Sequence, residues 1–178
     1  MKFIKEAIPY LFIIVVVGFI RTFLITPIVV QGESMVPTLK GGELMILKKY
    51  DKSFNRFDVV VVNKNVEGDN LIKRVIGLPG ETIRYKNNHL YINDEIIDDI
   101  YAYGDTGNFQ EIVLANDEYF LMGDNREISL DSRSLGVIKK NEIEGTTNLI
   151  LYPFNKIGLI KWYWLLTNIF IYDKKEKC

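Results

Sequence analysis

The sequence predicts a mainly β protein: an antiparallel β-sheet domain behind an N-terminal transmembrane helix, with an apolar C-terminal segment expected to associate with the membrane. Three observations predict it. An uncharged run follows two N-terminal lysines, short β-prone runs separated by turn residues fill the middle, and no helical periodicity of useful length interrupts them.

The anchor comes first. Lys2 and Lys5 precede Ala7 to Ile20, 14 residues without a charge, and Thr22 to Val30 is uncharged again after Arg21. Fourteen residues fall short of the ~20 needed to cross a bilayer core. Phe23, Leu24 and Ile25 restore the length, because an arginine near a helix end can reach the headgroups while its stem stays apolar. Phe3 to about Ile25 is therefore expected to be a membrane helix. A cleaved secretory signal would need small residues at its cleavage site, and Ile28-Val29-Val30-Gln31 offers none. A buried core helix would show a polar face, which Ile13 to Val17 lacks. The leading lysines put the N-terminus in the cytoplasm and the bulk of the chain outside it.

The middle of the chain reads as strands at Leu44 to Lys48, Asp58 to Val62, Leu71 to Ile76, Thr82 to Tyr85, Leu90 to Ile92, Tyr119 to Met122 and Asn148 to Tyr152. Gly41-Gly42, Pro79-Gly80, Asn87-Asn88, Asn93-Asp94 and Gly104-Asp105 punctuate them. At the C-terminus, Trp162 to Tyr172 is 11 residues long, with Trp162, Leu165, Leu166 and Ile169 at helical spacing. That is short for a span, and a terminal core strand or helix would look the same, but its tryptophans suit a membrane interface, and the lysines after it suit a second crossing. Residues 1–30 are thus assigned to the cytoplasmic terminus and anchor, 31–160 to an extracytoplasmic β-rich domain, and 161–178 to an apolar, aromatic tail.

Composition narrows the chemistry. The chain has 178 residues, 48% hydrophobic and 25% charged, enough for one packed domain. Lys+Arg 22 against Asp+Glu 23 leaves a net charge of -1, which argues against nucleic acid as a partner. There is one Cys, Cys178, and one His, His89, so neither an intrachain disulfide nor a Cys cluster or two-histidine metal site is available. His89 follows Asn87-Asn88 at the start of a hairpin strand, and is expected to be an exposed turn residue with nothing nearby to orient it as a base.

Three segments carry residues that could react. Ser34 lies in Gln31-Gly32-Glu33-Ser34-Met35-Val36-Pro37-Thr38-Leu39, where Gly32 permits unusual φ and Pro37 biases Val36 away from helix. By itself such a serine is usually an ordinary loop hydroxyl. It lies seven positions after Pro27, so even an extended chain keeps it within ~25 Å of the anchor's end. A nucleophilic serine needs a base, and with histidine excluded the candidate is a lysine, which loses its proton readily when desolvated. Lys73 sits in Asn70-Leu71-Ile72-Lys73-Arg74-Val75-Ile76-Gly77-Leu78-Pro79-Gly80-Glu81, where strand alternation puts it on one face with Leu71 and Val75. An edge-strand lysine that resists aggregation would look the same. The third segment, Gly123-Asp124-Asn125-Arg126 through Ser129, Asp131, Arg133 and Gly136, follows an apolar strand; Asp131 can pair with Arg133, and Ser129 could hydrogen-bond a buried neutral amine.

These segments, with Arg56-Phe57-Asp58-Val59 between the first two, resemble bacterial type I signal peptidases, which are membrane-bound Ser/Lys endopeptidases. The resemblance covers about Phe3 to Ile160, and four motifs in family order behind an anchor make it specific. It implies Ser34 as nucleophile, its backbone N–H as one oxyanion donor, and Lys73 as general base. It further implies Ser129 as the hydroxyl that orients the lysine, the Asp131 and Arg133 pair as a buttress, and Arg74, Asp124 and Arg126 as structural positions nearby. Some members place a serine where this chain has Gly32, which leaves the second oxyanion donor open. The implied substrates are signal peptides of exported preproteins, cut after small residues at positions -1 and -3, with Val30, Met35, Leu39 and Ile72 lining the pockets. The implied enzyme is a monomer in the lipid bilayer that needs no metal or cofactor.

Two rivals share parts of this pattern. A self-cleaving Ser/Lys peptidase of the SOS-repressor type has the chemistry without the anchor and with a DNA-binding segment missing here. A noncatalytic membrane-tethered assembly factor would keep the scaffold but usually lose the nucleophile or base, and both are present.

Overall fold

The computed structural model describes residues 2–66 and 69–160; the predicted membrane segment Trp162 to Tyr172 lies outside them. Helix α1 (Lys2–Phe19) runs into a single π-helical turn at Ile20–Leu24. Together they supply an apolar stretch, Glu6–Leu24, of 19 residues with mean hydropathy 2.2 and none of it buried against the protein. At 1.5 Å per residue it is about 28 Å long, close to the ~30 Å of a bilayer's hydrocarbon core. The helix ends one residue before the expected Ile25.

No linker follows. Ile25–Val29 is already a strand, β1, and it is an edge strand, which is why Pro27 is tolerated within it. Eleven more strands follow: β2 (Leu44–Lys48), β3 (Val59–Val66), β4 (Asp69–Gly77), β5 (Thr82–Lys86), β6 (His89–Ile92), β7 (Glu95–Ile97), β8 (Phe109–Val113), β9 (Glu118–Met122), β10 (Ile138–Lys139), β11 (Ile143–Tyr152) and β12 (Gly158–Leu159). They form a sheet ordered β1-β2-β11-β3-β4-β9-β10, with β12 on β11, and a smaller one ordered β7-β6-β5-β8. Every strand pairing within them is antiparallel. The mainly antiparallel β class expected from the sequence is the class observed.

All seven predicted strands are present, and β1, β7, β8, β10 and β12 are additional. The apolar run that fed the anchor prediction concealed β1, while β7, β10 and β12 are too short to show alternation. Among the described residues the α-helical content of the domain is one turn, α2 (Ser132–Leu135), whose Arg133 N–H is capped by the Asp131 side chain; Lys140–Glu142 and Phe154–Lys156 add short 3-10 turns. The asparagine pairs act as predicted: Asn87 and Asn88 turn at φ 51 and 60, which gives the tight hairpin between β5 and β6. His89, just beyond it, is exposed and its Nδ1 meets the Asn87 carbonyl oxygen at 2.7 Å.

Alternation in β3 and β4 divides the core. Val59, Val61 and Ile72 pack with Val30, Met35, Leu39, Met45, Leu47, Ile150 and Ile160 on one side. Val60, Val62 and Val75 pack with Tyr119, Leu121, Ile138 and Ile143 on the other. A third cluster around Phe120, Met122, Ile76 and Ile83 joins the two sheets. Burying each such aliphatic side chain contributes roughly 1.5–3 kcal/mol, which makes β3 and β4 a rigid platform for what they carry.

Candidate active site

Ser34 sits in a tight turn directly after β1. The loop that holds it is closed at its base by two backbone hydrogen bonds, Val30 N–H to Glu43 oxygen at 2.8 Å and Gly42 N–H to Val30 oxygen at 2.9 Å. Gly32, at φ +70, takes the left-handed conformation that starts the turn. Beyond Ser34, the N–H of Leu39 donates to Met35 oxygen at 2.9 Å, and the serine itself is half-buried.

Lys73 comes from the middle of β4, opposite Val60. It is only 4% exposed, and its Nζ donates to Ser34 Oγ at 2.7 Å. Burial lowers its pKa from 10.5 to about 8; Asp131 and Asp124 pull the value back up and Arg133 pushes it further down. A lysine here is therefore neutral in a substantial fraction of molecules at mildly alkaline pH. In that state the contact reverses, with the serine O–H donating to the amine. That is the arrangement a general base needs.

The loop after β9 closes over this pair. The Asn125 N–H donates to the Ser34 carbonyl at 3.0 Å. Gly123 has no room for a side chain, since a Cβ there would overlap both Ser129 Oγ and the Ser34 carbonyl oxygen. Ser129 is thus brought against the Ser34 turn, and its buried hydroxyl lies against the Asp131 carboxylate, which it helps to hold ionised. Asp131 accepts from Arg133 Nε and Nη2, both at 2.9 Å, and from the Gly123 N–H at 3.0 Å. Burial alone would push the Asp131 carboxyl up, but the Arg133 guanidinium and these hydrogen bonds hold it below the usual range. The predicted ion pair between Asp131 and Arg133 is present.

Beneath the loop lies a second charge network. Arg74 clamps Asp124 through two hydrogen bonds of 2.7 and 2.6 Å, both partners fully buried. Its guanidinium also donates to the Phe57 carbonyl and stacks 3.6 Å from the centre of the Tyr101 ring. Arg126 donates to the Gly123 carbonyl and to Thr106 Oγ1, both at 3.0 Å. It also forms a buried ion pair with Asp99 at 2.6 Å. Burial, opposed by the Arg126 charge, leaves the Asp99 carboxyl above its ordinary range.

The sequence residues Ser34, Lys73, Ser129, Asp131 and Arg133 therefore come together in space. Val30, Met35, Leu39 and Ile72 fall in one apolar cluster beside the serine turn, all of them buried. Asp99, Tyr101, Thr106 and Asn125 were not singled out by sequence. The first three lie in the irregular stretch between β7 and β8, where no spacing pattern marks them. Among the described residues, no three His, Cys, Asp or Glu side chains group as metal ligands.

Residues 3–152 match the family model for signal peptidase, peptidase S26. The chain belongs to the signal peptidase family. Membership makes it a peptide-bond hydrolase, a signal peptidase I of the serine endopeptidase kind. The chain is 39% identical over 157 residues to signal peptidase I P of Bacillus subtilis subsp. natto, covering 80% of this chain and 84% of that one. It is 40% identical over 163 residues to a signal peptidase I of Bacillus amyloliquefaciens, covering 83% and 87%. A crystal structure of a signal peptidase I from Enterococcus faecalis V583 is 32% identical and covers 54% of this chain and 97% of its own, with a TM-score of 0.46. The signal peptidase I family is membrane-anchored, and Glu6–Leu24 is long and apolar enough to cross a membrane.

Proposed function

We propose that this signal peptidase removes signal peptides from exported preproteins at the outer surface of the cytoplasmic membrane, with Ser34 as nucleophile and Lys73 as general base. The observation that carries the reading is the 2.7 Å contact between Lys73 Nζ and Ser34 Oγ, with the lysine buried.

In the reaction, neutral Lys73 takes the hydroxyl proton as Ser34 Oγ attacks the scissile carbonyl carbon. The oxyanion that forms is stabilised by the Ser34 backbone N–H, and each such donor is worth roughly 10²-fold or more in rate. Protonated Lys73 then gives its proton to the departing amine of the mature protein, leaving the signal peptide as an ester on Ser34. Lys73, neutral again, activates a water that hydrolyses the ester and returns the proton to the serine. The Ser129 hydroxyl, buried beside the Asp131 carboxylate, is assigned the task of holding the lysine amine in line. The Asp131 and Arg133 pair, tied to Gly123, keeps that hydroxyl in place.

Substrate reaches the serine as an added strand. Strand β1 is a sheet edge that runs straight to the serine turn, and an extended peptide can hydrogen-bond along such an edge. Residues at -1 and -3 would then meet the cluster of Val30, Met35, Leu39 and Ile72. On this reading the cluster accepts small side chains and rejects bulky ones sterically. Residues 1–30 serve as cytoplasmic terminus and single-pass anchor and 31–160 as the external catalytic domain. Residues 161–178 are assigned to the membrane surface or a second crossing. The enzyme acts as a monomer in the bilayer.

The deciding experiment is in vitro cleavage of a preprotein by the wild type, Ser34→Ala and Lys73→Ala forms of the full chain. Both variants are expected to fold and to show no cleavage; an active Lys73→Ala protein would overturn the mechanism.

A further inference from the structure

Where the anchor meets the sheet, cations collect at the depth of the bilayer surface. The apolar span ends at Leu24, and the Leu24 carbonyl accepts the backbone N–H of Lys49 at 2.8 Å. Lys49 Nζ reaches back to the Thr22 carbonyl at 3.5 Å. Lys48 lies directly across from Ile25, the first residue beyond the span. Arg21 is exposed on the last helical turn. Strand pairing, not a loose linker, therefore fixes the backbone of two lysines level with the helix end. A cation there also suits the negative end of the helix dipole.

The surroundings leave these charges available. Among the described residues, none of Arg21, Lys48 and Lys49 forms a salt bridge with an acidic group. The nearby acids are otherwise engaged: Asp51 accepts from the Ser53 N–H and Thr146 Oγ1, and Glu144 from Asn70. Lys52, next along, spends its ammonium on the Ile143 and Glu144 carbonyls. Lys49 uses one of its three donors on Thr22, and two remain for an acceptor outside the protein.

We propose that Arg21, Lys48 and Lys49 form a binding site for the phosphate of an anionic phospholipid headgroup at the junction of anchor and sheet. This rests on the reading of Glu6–Leu24 as a membrane span. Its consequence is orientation. Because β1 begins at the same junction and ends at the serine turn, a headgroup clamped there fixes the tilt of the strand that presents Ser34 to a membrane-borne substrate.

The test uses the full chain reconstituted in bilayers of phosphatidylcholine mixed with phosphatidylglycerol. Flotation first checks the anchor: a chain that floats with neither pure nor mixed vesicles overturns the membrane reading itself. The lipids that stay bound are then counted by native mass spectrometry. Phosphatidylglycerol is expected to be retained in preference to phosphatidylcholine, with the preference falling about fivefold for Lys48→Gln and further for Lys48→Gln combined with Lys49→Gln, since each interfacial cation contributes on that scale. Lys48→Arg should keep it, which separates lost charge from lost structure. Equal retention of the two lipids, or a preference unchanged in Lys48→Gln, overturns the headgroup site and leaves the anchor standing. Displacement of the lipid by inorganic phosphate at the same concentration would overturn the assignment to a lipid.

Discussion

Replacing Lys73 with methionine should make this protein inactive and, at neutral pH, more stable. The side chain is almost fully enclosed, and its pKa falls from 10.5 to about 8 because burial disfavours the cation. At 1.36 kcal/mol per pKa unit, that difference means the folded state carries a penalty of about 3 kcal/mol when the lysine is charged. The sign follows from proton binding. Above pH 10.5 both folded and unfolded chains are neutral at this residue and the penalty is absent. Between 10.5 and 8 the unfolded chain holds a proton the folded chain has lost, so wild-type stability drops as pH falls, and below 8 the full penalty stands. Methionine fills a similar volume without the charge, and gives up one hydrogen bond to Ser34 worth about 1 kcal/mol. The expected net gain for Lys73→Met is about 2 kcal/mol at pH 7, shrinking to about zero by pH 9.5. Urea unfolding of both full-length proteins in neutral detergent, followed by intrinsic fluorescence at the two pH values, measures it. A variant less stable than wild type at pH 7, or a difference that does not change with pH, would refute the claim that a buried ammonium strains this fold.

Three other outcomes follow from the same geometry. Cleavage of a peptide substrate should rise with pH through an apparent pKa of about 8, as Lys73 loses its proton; a flat kcat/KM profile from neutral to alkaline pH would count against a lysine base. Gly123→Ala should reduce kcat by about 10²-fold or more, because a methyl group there overlaps both Ser129 Oγ and the Ser34 carbonyl and must displace one of them. Retained activity in a kinetic assay would show that the loop is not registered against the serine turn as described. Asp124→Ala should destabilise by about 3–5 kcal/mol, since it strands the buried Arg74 guanidinium without its carboxylate. Chemical denaturation measures that loss, and Arg74→Met combined with Asp124→Ala should recover part of it.

The parts of this molecule that could be read from sequence are those where one local rule dominates. The anchor follows from length and apolarity, and the pairing of Lys73 with a serine follows from having no histidine fit to act as base. Strand β4 was legible because Leu71, Lys73 and Val75 alternate with Ile72, Arg74 and Ile76 in a β-branched run. Strand β1 was not, because Ile25 to Val29 is as apolar as the helix before it and periodicity cannot mark where one becomes the other. Nor could spacing show that Arg126, quoted in the motif, needs Asp99 and Thr106, which lie 27 and 20 residues upstream in an irregular stretch. Such partners are chosen by tertiary packing, and they leave no local signature.

That packing explains why so many charges are buried around one lysine. A lysine base is useful only if its ammonium form is made unfavourable, and an exposed loop lysine would stay near pKa 10.5 with almost no neutral fraction at physiological pH. Burial on β4 supplies the needed shift, but burial also invites any neighbouring carboxylate to reverse it. Asp131 and Asp124 both pull the Lys73 value upward. Each is answered by an arginine, Arg133 on Asp131 and Arg74 on Asp124. The pairing leaves both acids free to organise the loop through the Gly123 N–H and the Arg74 clamp, while Arg133 offsets part of the Asp131 pull and burial outweighs what is left. The ion pairs are therefore weak evidence for stability in their own right. Their consequence is electrostatic, because they let a carboxylate-built loop close over Lys73 without restoring its proton.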